Sequence, residues 1–400
     1  MSNAPLPLDD IRVLDLTHYY HGPYATMLLG YLGAEVIKIE MPGVGDGMRP
    51  LYRRAGQPFG IPFALMNSNK RAITLNLKSD EGKELFKRMV RKADLVIENF
   101  EAGTMDKLGL GYSVLREVNP MIVYACGTGY GISGPNRSLP AFDPVVQANT
   151  GIMAITGEIG GPPLKSGAAV VDLLGATHLF AAVLAALRQR DRTGKGLMVE
   201  TSLQESTLAS LSTHIGAYYG IGARQLRDGN RAAGGALAPY NAYPATDGWI
   251  MILADHSRWH KLCAVMGQPE LADDPRFATM ADRAKNREEV DRIISDWTRT
   301  QTRQQVMDTM AANDIFAGIV KELHEVMTDP HLHERGTLRE IDHPELGPMT
   351  IFTSPLRLNG QPNVPRSPAP TLGRDTAEFY AEEFGYTPAE IAALRDRKVI

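Results

Sequence analysis

The sequence predicts an α/β fold, in which a Rossmann-like large domain with a mostly parallel sheet is joined to a smaller α/β domain. Three observations lead there. Short β-branched runs alternate with helical stretches through the first 130 or so residues. The chain has 400 residues, more than one core usually organises. A Gly- and Ala-rich passage, GIGARQLRDGNRAAGGALA at 220–238, then separates that region from a second block with its own strand and helix signals. These place the large domain at 1–220, a linker at 221–239, the small domain at 240–325, and a C-terminal segment at 326–400 that returns to the large domain.

The elements follow in order. Ile11 to Leu16 (IRVLDL) reads as a strand, and Pro23 to Leu32 as a helix with proline in its first turn, stopped by Gly33. Ala34 to Glu40 is a second strand. Ser79 and Asp80 open an amphipathic helix, EGKELFKRMVRKA, which leads into a third strand, Asp94 to Asn99. Met121 to Cys126 is the fourth. Gly- and Pro-rich loops span 151–165, and a long helix runs from about Leu173 to Arg190. Leu197 to Leu203 is another strand, followed by a helix through Tyr219. The small domain restarts with a strand at Trp249 to Ala254. The C-terminal segment carries strand signals at Thr337 to Ile341 and Met349 to Leu358, and a closing helix that starts near Thr387.

Hydrophobic residues make up 44% and charged residues 22%, which excludes a disordered scaffold, a coiled coil and a collagen-like rod. A net charge of −4 gives no global positive field, so neither nucleic acid nor a membrane surface is an expected partner. The first ten residues lack the basic and apolar regions of a secretory signal. Leu179 to Leu187, the most apolar helical stretch, is about half the length that crosses a bilayer. Cys126 and Cys263 have no metal-like spacing and read as reduced thiols in a cytoplasmic protein.

Several chemical motifs fall away on inspection. Gly129, Gly131 and Gly134 (GYGISG) formally match a dinucleotide fingerprint, but Pro135 to Pro140 after them reads as loop, not the helix that would hold a pyrophosphate. His256 and His260 share a helix spacing without a third ligand or a general base, so no metal site is predicted. There is no GxSxG elbow, and Cys126 lies in an apolar strand. Asp172 stands apart. It lies between the run SGAAVV and LLGATHLF at a helix start, where an aspartate usually serves as an N-cap. The unpaired N–H groups and positive potential there can also hold a carboxylate ionised. Gly175, one turn on, leaves room for an incoming substrate. That arrangement suits a carboxylate nucleophile.

At this point the sequence resembles a known family. PLDDIRVLDLTHYYHGPYATMLLGYLGAEVIKIEMPGV at 7–44 is similar to the opening of the class III coenzyme A transferases (the CaiB/BaiF family), which include formyl-CoA:oxalate transferase and the carnitine CoA-transferase. The likeness continues through NSNKRAITLNLK, ENFEAG, GTGYG, VDLLG and RTGKG to Asp375. It implies a CoA transferase without metal or permanently bound cofactor, with coenzyme A as substrate. Asp172 would attack an acyl-CoA thioester, pass through an anhydride and an aspartyl-CoA thioester, and hand CoA to a carboxylic acid. The resemblance also implies an intertwined homodimer.

Matched motif positions make Tyr19, Tyr20, Leu75, Lys78, Asn99, Phe100, Lys107, Phe142 and Asp143 the expected CoA-binding residues. Lys107 stands where the family often carries a phosphate-binding arginine. Met41 and Tyr20 depart from the formyl-CoA transferase pattern, and its mobile glycine run is reduced to Gly234 and Gly235, which leaves the acid pair open. The alternative is an isomerase like the related α-methylacyl-CoA racemases, which use a His–Asp motif; here that position reads AFDPV, and Phe142 cannot exchange a proton. A CoA-binding protein without catalysis would lack Asp172.

Overall fold

The structure, a computed structural model, describes residues 5–222, 224 and 227–400. Ala223, Gln225 and Leu226, within the predicted linker, lie outside the described residues. The chain divides into two compact units. The first takes the chain up to Gln147, then Gly167 to Leu208 and Asp329 to Ile400; the second takes Ala148 to Ser166 and Ala209 to Thr328.

The first unit is built on a parallel six-stranded sheet of β1 (Arg12–Asp15), β2 (Glu35–Glu40), β3 (Lys70–Thr74), β4 (Leu95–Glu98), β5 (Val123–Thr128) and β6 (Met198–Ser202). Their spatial order is β3-β2-β1-β4-β5-β6. Neighbours in sequence face opposite ways across it, as the two-residue period of a strand requires. Val13, Val36, Leu95 and Val123 pack with Ala25, Leu28, Leu179 and Val183 on one face. Leu14, Ile37, Val96 and Tyr124 pack with Phe86, Met89, Phe379 and Tyr380 on the other. Both faces are covered, which is why the strands read as continuous apolar runs.

The sequence reading missed β3. KRAIT begins with two cations, and only its burial against the sheet and the returning C-terminus makes it a strand: Ala72 N donates to Asp375 Oδ2 (2.7 Å), and Asn76 N to Val399 O (2.8 Å). The expected third strand is therefore β4 and the fourth β5. The helix Asp80–Val90 forms as expected, capped by Ser79 Oγ on the Gly82 N–H (3.0 Å), with Asp80 and Glu81 in its first turn and Lys87 and Arg88 in its last. The single strand expected over Met349 to Leu358 is two, Gly347–Phe352 and Ser354–Leu358, each in its own antiparallel hairpin.

The long helix is Val170–Thr193, three residues earlier than expected at its start. By length and composition alone it would suit a membrane span. Its apolar residues Ala176, Leu179, Phe180, Val183, Ala186 and Leu187 instead lie in the core, against the helix His21–Tyr31 and β5.

The second unit holds an antiparallel sheet of β7 (Tyr240–Ala245), β8 (Gly248–Leu253) and β9 (Phe316–Ile319). Tyr243, Ile250, Ile252, Trp259, Phe277 and Ile294 form its core. His256 and His260 sit on one helix there, and no group of three metal-ligating side chains occurs among the described residues.

Candidate active site

In an open parallel sheet the crevice lies at the carboxyl ends of the strands, where the order reverses. Here the reversal is between β1 and β4. The turns that leave these two strands are tied to each other: His18 N donates to Asn99 Oδ1 (2.8 Å), and Asn99 Nδ2 donates to His18 O (2.9 Å). The Phe100 ring lies 5.7 Å from the His18 ring.

A buried set of charges holds the turn after β1. Asp15 accepts from Thr17 N (2.9 Å) and Thr26 Oγ1 (2.8 Å) and pairs with Lys70 Nζ (3.0 Å). Lys38 Nζ pairs with Asp46 Oδ2 (3.0 Å) and donates to Thr17 O (2.7 Å). Asp46 Oδ1 accepts from Tyr19 N (3.1 Å). Against their own desolvation, Lys70 and Lys38 hold Asp15, and Lys38 holds Asp46, below the usual carboxylate range, while burial brings Lys70 down to about 8. Tyr19 is thereby fixed at φ +63°, a left-handed conformation uncommon outside glycine. Its ring meets Phe142 edge-on at 5.6 Å.

Next in sequence, His21 is fully enclosed, and burial lowers it to about 4, so it is neutral at physiological pH. Two glycines make its slot. A Cβ on Gly127 would lie 2.5 Å from His21 Cε1, and one on Gly175 would lie 3.0 Å from His21 Nε2 and 2.6 Å from Leu203 Cδ2. This corrects the reading of Gly175: the space it leaves is filled by protein.

Asp172 lies inside the first turn of the helix Val170–Thr193 and is not its N-cap. The cap comes from elsewhere in the chain. Asp143 Oδ2 accepts the N–H groups of Val171 (2.9 Å) and Asp172 (3.2 Å), and Gln147 Nε2 donates to Asp143 Oδ1 (2.5 Å). The Asp172 carboxyl is half-buried and has no hydrogen-bond partner among the described residues. Burial, and then the neighbouring charge of Asp143, push it up to about 7. The helix N–H groups that could hold a carboxylate ionised are therefore not offered to Asp172, because Asp143 takes those of Val171 and Asp172 and burial raises the Asp172 carboxyl. Tyr20 lies within electrostatic reach: burial, Tyr52 and then Asp172 raise its phenol.

A cavity of about 600 Å³ opens beside the ends of β4 and β5. Glu98, Lys107, Tyr112, Tyr124, Cys126 and Arg137 are among the residues that line it. Of the expected CoA-binding residues only Lys107 lines it. Arg137, in the loop after GYGISG, was not predicted; a cation following Gly-Pro-Asn was the available signal. Glu98 accepts from Phe100 N (2.7 Å) and Tyr124 OH (3.0 Å), and burial pushes it up to about 7. Burial and Glu98 raise the Cys126 thiol, so it stays protonated and is no nucleophile.

The remaining expected residues separate into groups. Tyr19, Asn99, Phe100 and Phe142 gather about the two tied turns through the contacts above. Leu75 is buried in the core and Lys78 is exposed beyond the end of β3. Asp143 is buried with both oxygens engaged by protein donors, which makes it a cap for the helix Val170–Thr193. Phe142, 58% exposed, supplies the open apolar surface next to it.

The sequence model of CoA-transferase family III matches residues 8–376. The chain belongs to that family. Among its curated relatives, this family III chain is 36% identical to the succinyl-CoA–D-citramalate CoA-transferase of Chloroflexus aurantiacus, over 99% of its own length and 98% of the relative's. It is 37% identical to the succinyl-CoA:mesaconate CoA-transferase of Haloarcula hispanica, covering 94% and 96%. A solved CAIB/BAIF family protein from Brucella suis superposes with a TM-score of 0.84 at 31% identity, covering 95% of this chain and all (100%) of that one. The chain is accordingly a family III CoA-transferase, an enzyme that moves coenzyme A between acyl groups.

Proposed function

We propose that this transferase moves CoA from succinyl-CoA, or a similar acyl-CoA, to a small dicarboxylic acid, with Asp172 as the nucleophile. One observation carries the assignment of the nucleophile. Asp172 presents a carboxyl group that is half-buried, unpaired and of raised basicity in the first turn of the helix Val170–Thr193, within electrostatic reach of Tyr20 in the turn after β1. Unpaired oxygen lone pairs of raised basicity are what attack on a thioester carbonyl needs. The names of the relatives support the substrate class, since D-citramalate and mesaconate are both dicarboxylic acids and the named donor is succinyl-CoA.

In the proposed sequence an Asp172 oxygen bonds to the thioester carbonyl carbon, and the C–S bond breaks with its electron pair leaving on the CoA thiolate. The thiolate then attacks the aspartyl carbonyl of the mixed anhydride, releasing the donor's acid. The acceptor carboxylate attacks the aspartyl-CoA thioester, and the returning thiolate takes the acyl group from the second anhydride. No proton or electron is gained or lost overall. Lys107 and Arg137 are the proposed contacts for the nucleotide phosphates, with Lys78 as a further cation. Tyr19, Tyr20, Asn99, Phe100 and Phe142 surround the thioester end. The exposed apolar residues Ile215, Tyr218, Tyr219 and Ile221 of the helix Ser212–Ile221 support a homodimer. The two free, buried cysteines support a reducing cytoplasmic setting.

The test is to quench the enzyme with hydroxylamine during turnover of succinyl-CoA. A hydroxamate at Asp172 in the digested peptide, together with loss of turnover in Asp172→Ala at unchanged CoA affinity, is the expected result. Full activity of Asp172→Ala would refute the assignment.

A further inference from the structure

An aspartate in the first turn of a helix ordinarily turns back onto the free N–H groups there, since up to four of them lack partners. Each such hydrogen bond stabilises the carboxylate and makes it a poorer nucleophile. Asp172 does not do this. The N–H groups of Val171 and Asp172 are both taken by Asp143 Oδ2, which reaches them from the start of a different helix, Asp143–Asn149. Asp143 is itself held on its second oxygen by Gln147 and is only 8% exposed.

We propose that Asp143 is the positioning residue for the nucleophile: by occupying the helix donors it leaves the Asp172 carboxylate unpaired beside a fixed negative charge. The inference rests on the reading of Asp172 as nucleophile and adds what makes it one. Acylation of Asp172 removes its charge, so the repulsion from Asp143 is present before attack and absent in the adduct. The interaction therefore favours the step in which negative charge leaves on the CoA thiolate.

Among the described residues, the titratable groups that face Asp172 are few. Asp143 comes from the helix Asp143–Asn149, and Tyr20, with Tyr52 behind it, from the turn and loop that follow β1 and β2. His21, on the helix His21–Tyr31 against Gly175, is neutral. The Tyr20 phenol is raised and stays uncharged, which leaves Asp143, among the described residues, as the charge acting on Asp172.

The experiment is a pH titration of Asp172 by carbon NMR on protein labelled at the aspartate carboxyl, without substrate, with Asp172→Asn used to assign the resonance. In the native enzyme Asp172 should titrate well above an ordinary carboxylate. In Asp143→Asn, whose amide oxygen can still accept the two N–H groups, the midpoint should fall by about one pH unit. The acid limb of kcat/KM should move with it, and kcat at pH 8 should drop about threefold with CoA affinity unchanged. Asp143→Glu, which restores the charge, should return the midpoint towards the native value. A midpoint unmoved in Asp143→Asn overturns the proposal, and so does a native Asp172 that titrates as an ordinary carboxylate. A structural role alone would lower activity at every pH and leave the midpoint in place. Because the titration needs no turnover, it decides the role of Asp143 even if Asp172→Ala proves active and the nucleophile assignment fails.

Discussion

Replacing the proposed nucleophile with its uncharged isostere, Asp172→Asn, should make the protein more stable at alkaline pH and leave it unchanged at acid pH. The Asp172 carboxyl is raised from 3.8 to about 7 in the folded chain, first by burial and then by Asp143. A folded state that holds a proton more tightly than the unfolded chain gains stability from it. That contribution is fully present below the unfolded value and is lost as pH rises through the folded one. The native enzyme thus carries a penalty at pH 8 that the amide does not. A proton held about three pH units more tightly corresponds to about 4 kcal/mol. Asp172 is half-buried, so water screens part of this, and about 2 kcal/mol is the working figure. For a unit of a few hundred residues that is a rise in Tm of about 4 °C. Thermal unfolding followed by circular dichroism at pH 8 and at pH 4 measures it. A variant no more stable than the native enzyme at pH 8, or equally stabilised at both values, would refute the claim that ionised Asp172 sits in an unfavourable site.

Further outcomes follow from other parts of the first unit. Lys107→Ala and Arg137→Ala should each weaken CoA binding by about fivefold, the equivalent of about 1 kcal/mol for an exposed ion pair. The loss should shrink as salt is added, and calorimetry that finds an unchanged dissociation constant for either would remove that residue from the nucleotide site. Gly175→Ala should destabilise the protein by about 1–3 kcal/mol, because its Cβ would crowd Leu203 Cδ2 at 2.6 Å and the His21 ring at 3.0 Å. Urea denaturation with an unshifted midpoint would show that the slot around His21 is looser than its geometry implies.

Much of the large unit was legible because its strands are buried on both faces and so read as apolar, β-branched runs. VLDL, VIKI, LVIE and VYAC all fall within or overlap β1, β2, β4 and β5. What escaped depends on partners distant in sequence. Lys70 looks like a strand-edge charge until Asp15, 55 positions earlier, is found beside it. The helix Thr376–Phe384 has the acidic, weakly amphipathic sequence TAEFYAEEF and shows its role only when Phe379 and Tyr380 reach the sheet. Asp172 was legible as a chemical candidate from VVDLLG and the family motifs, but its electrostatic state was not. That state depends on Asp143, a contact across 29 positions. Asp143-Pro144 is a recognisable helix start, yet nothing local says that its carboxylate serves another helix.

Under the proposed function, the buried charges around the turn after β1 bear on how substrate choice is made. Buried ion pairs are weak contributors to stability, since desolvation offsets much of their attraction. Lys38, Asp46, Asp15 and Lys70 are better understood as fixing geometry: they anchor Thr17 and Tyr19 directly, and the Asn99 bridge fastens the same turn to the end of β4. A backbone held at so many points, with Tyr19 already in a left-handed conformation, has little freedom to adapt to a longer or bulkier acid. Adaptation must come from side chains that are exposed and not part of that scaffold. Tyr19, Tyr52 and Phe142 meet this condition, at 40%, 79% and 58% exposure. The division suits the proposed function, in which Asp172 needs a constant position relative to the thioester while the acid that receives CoA needs only a surface that can be altered without moving it.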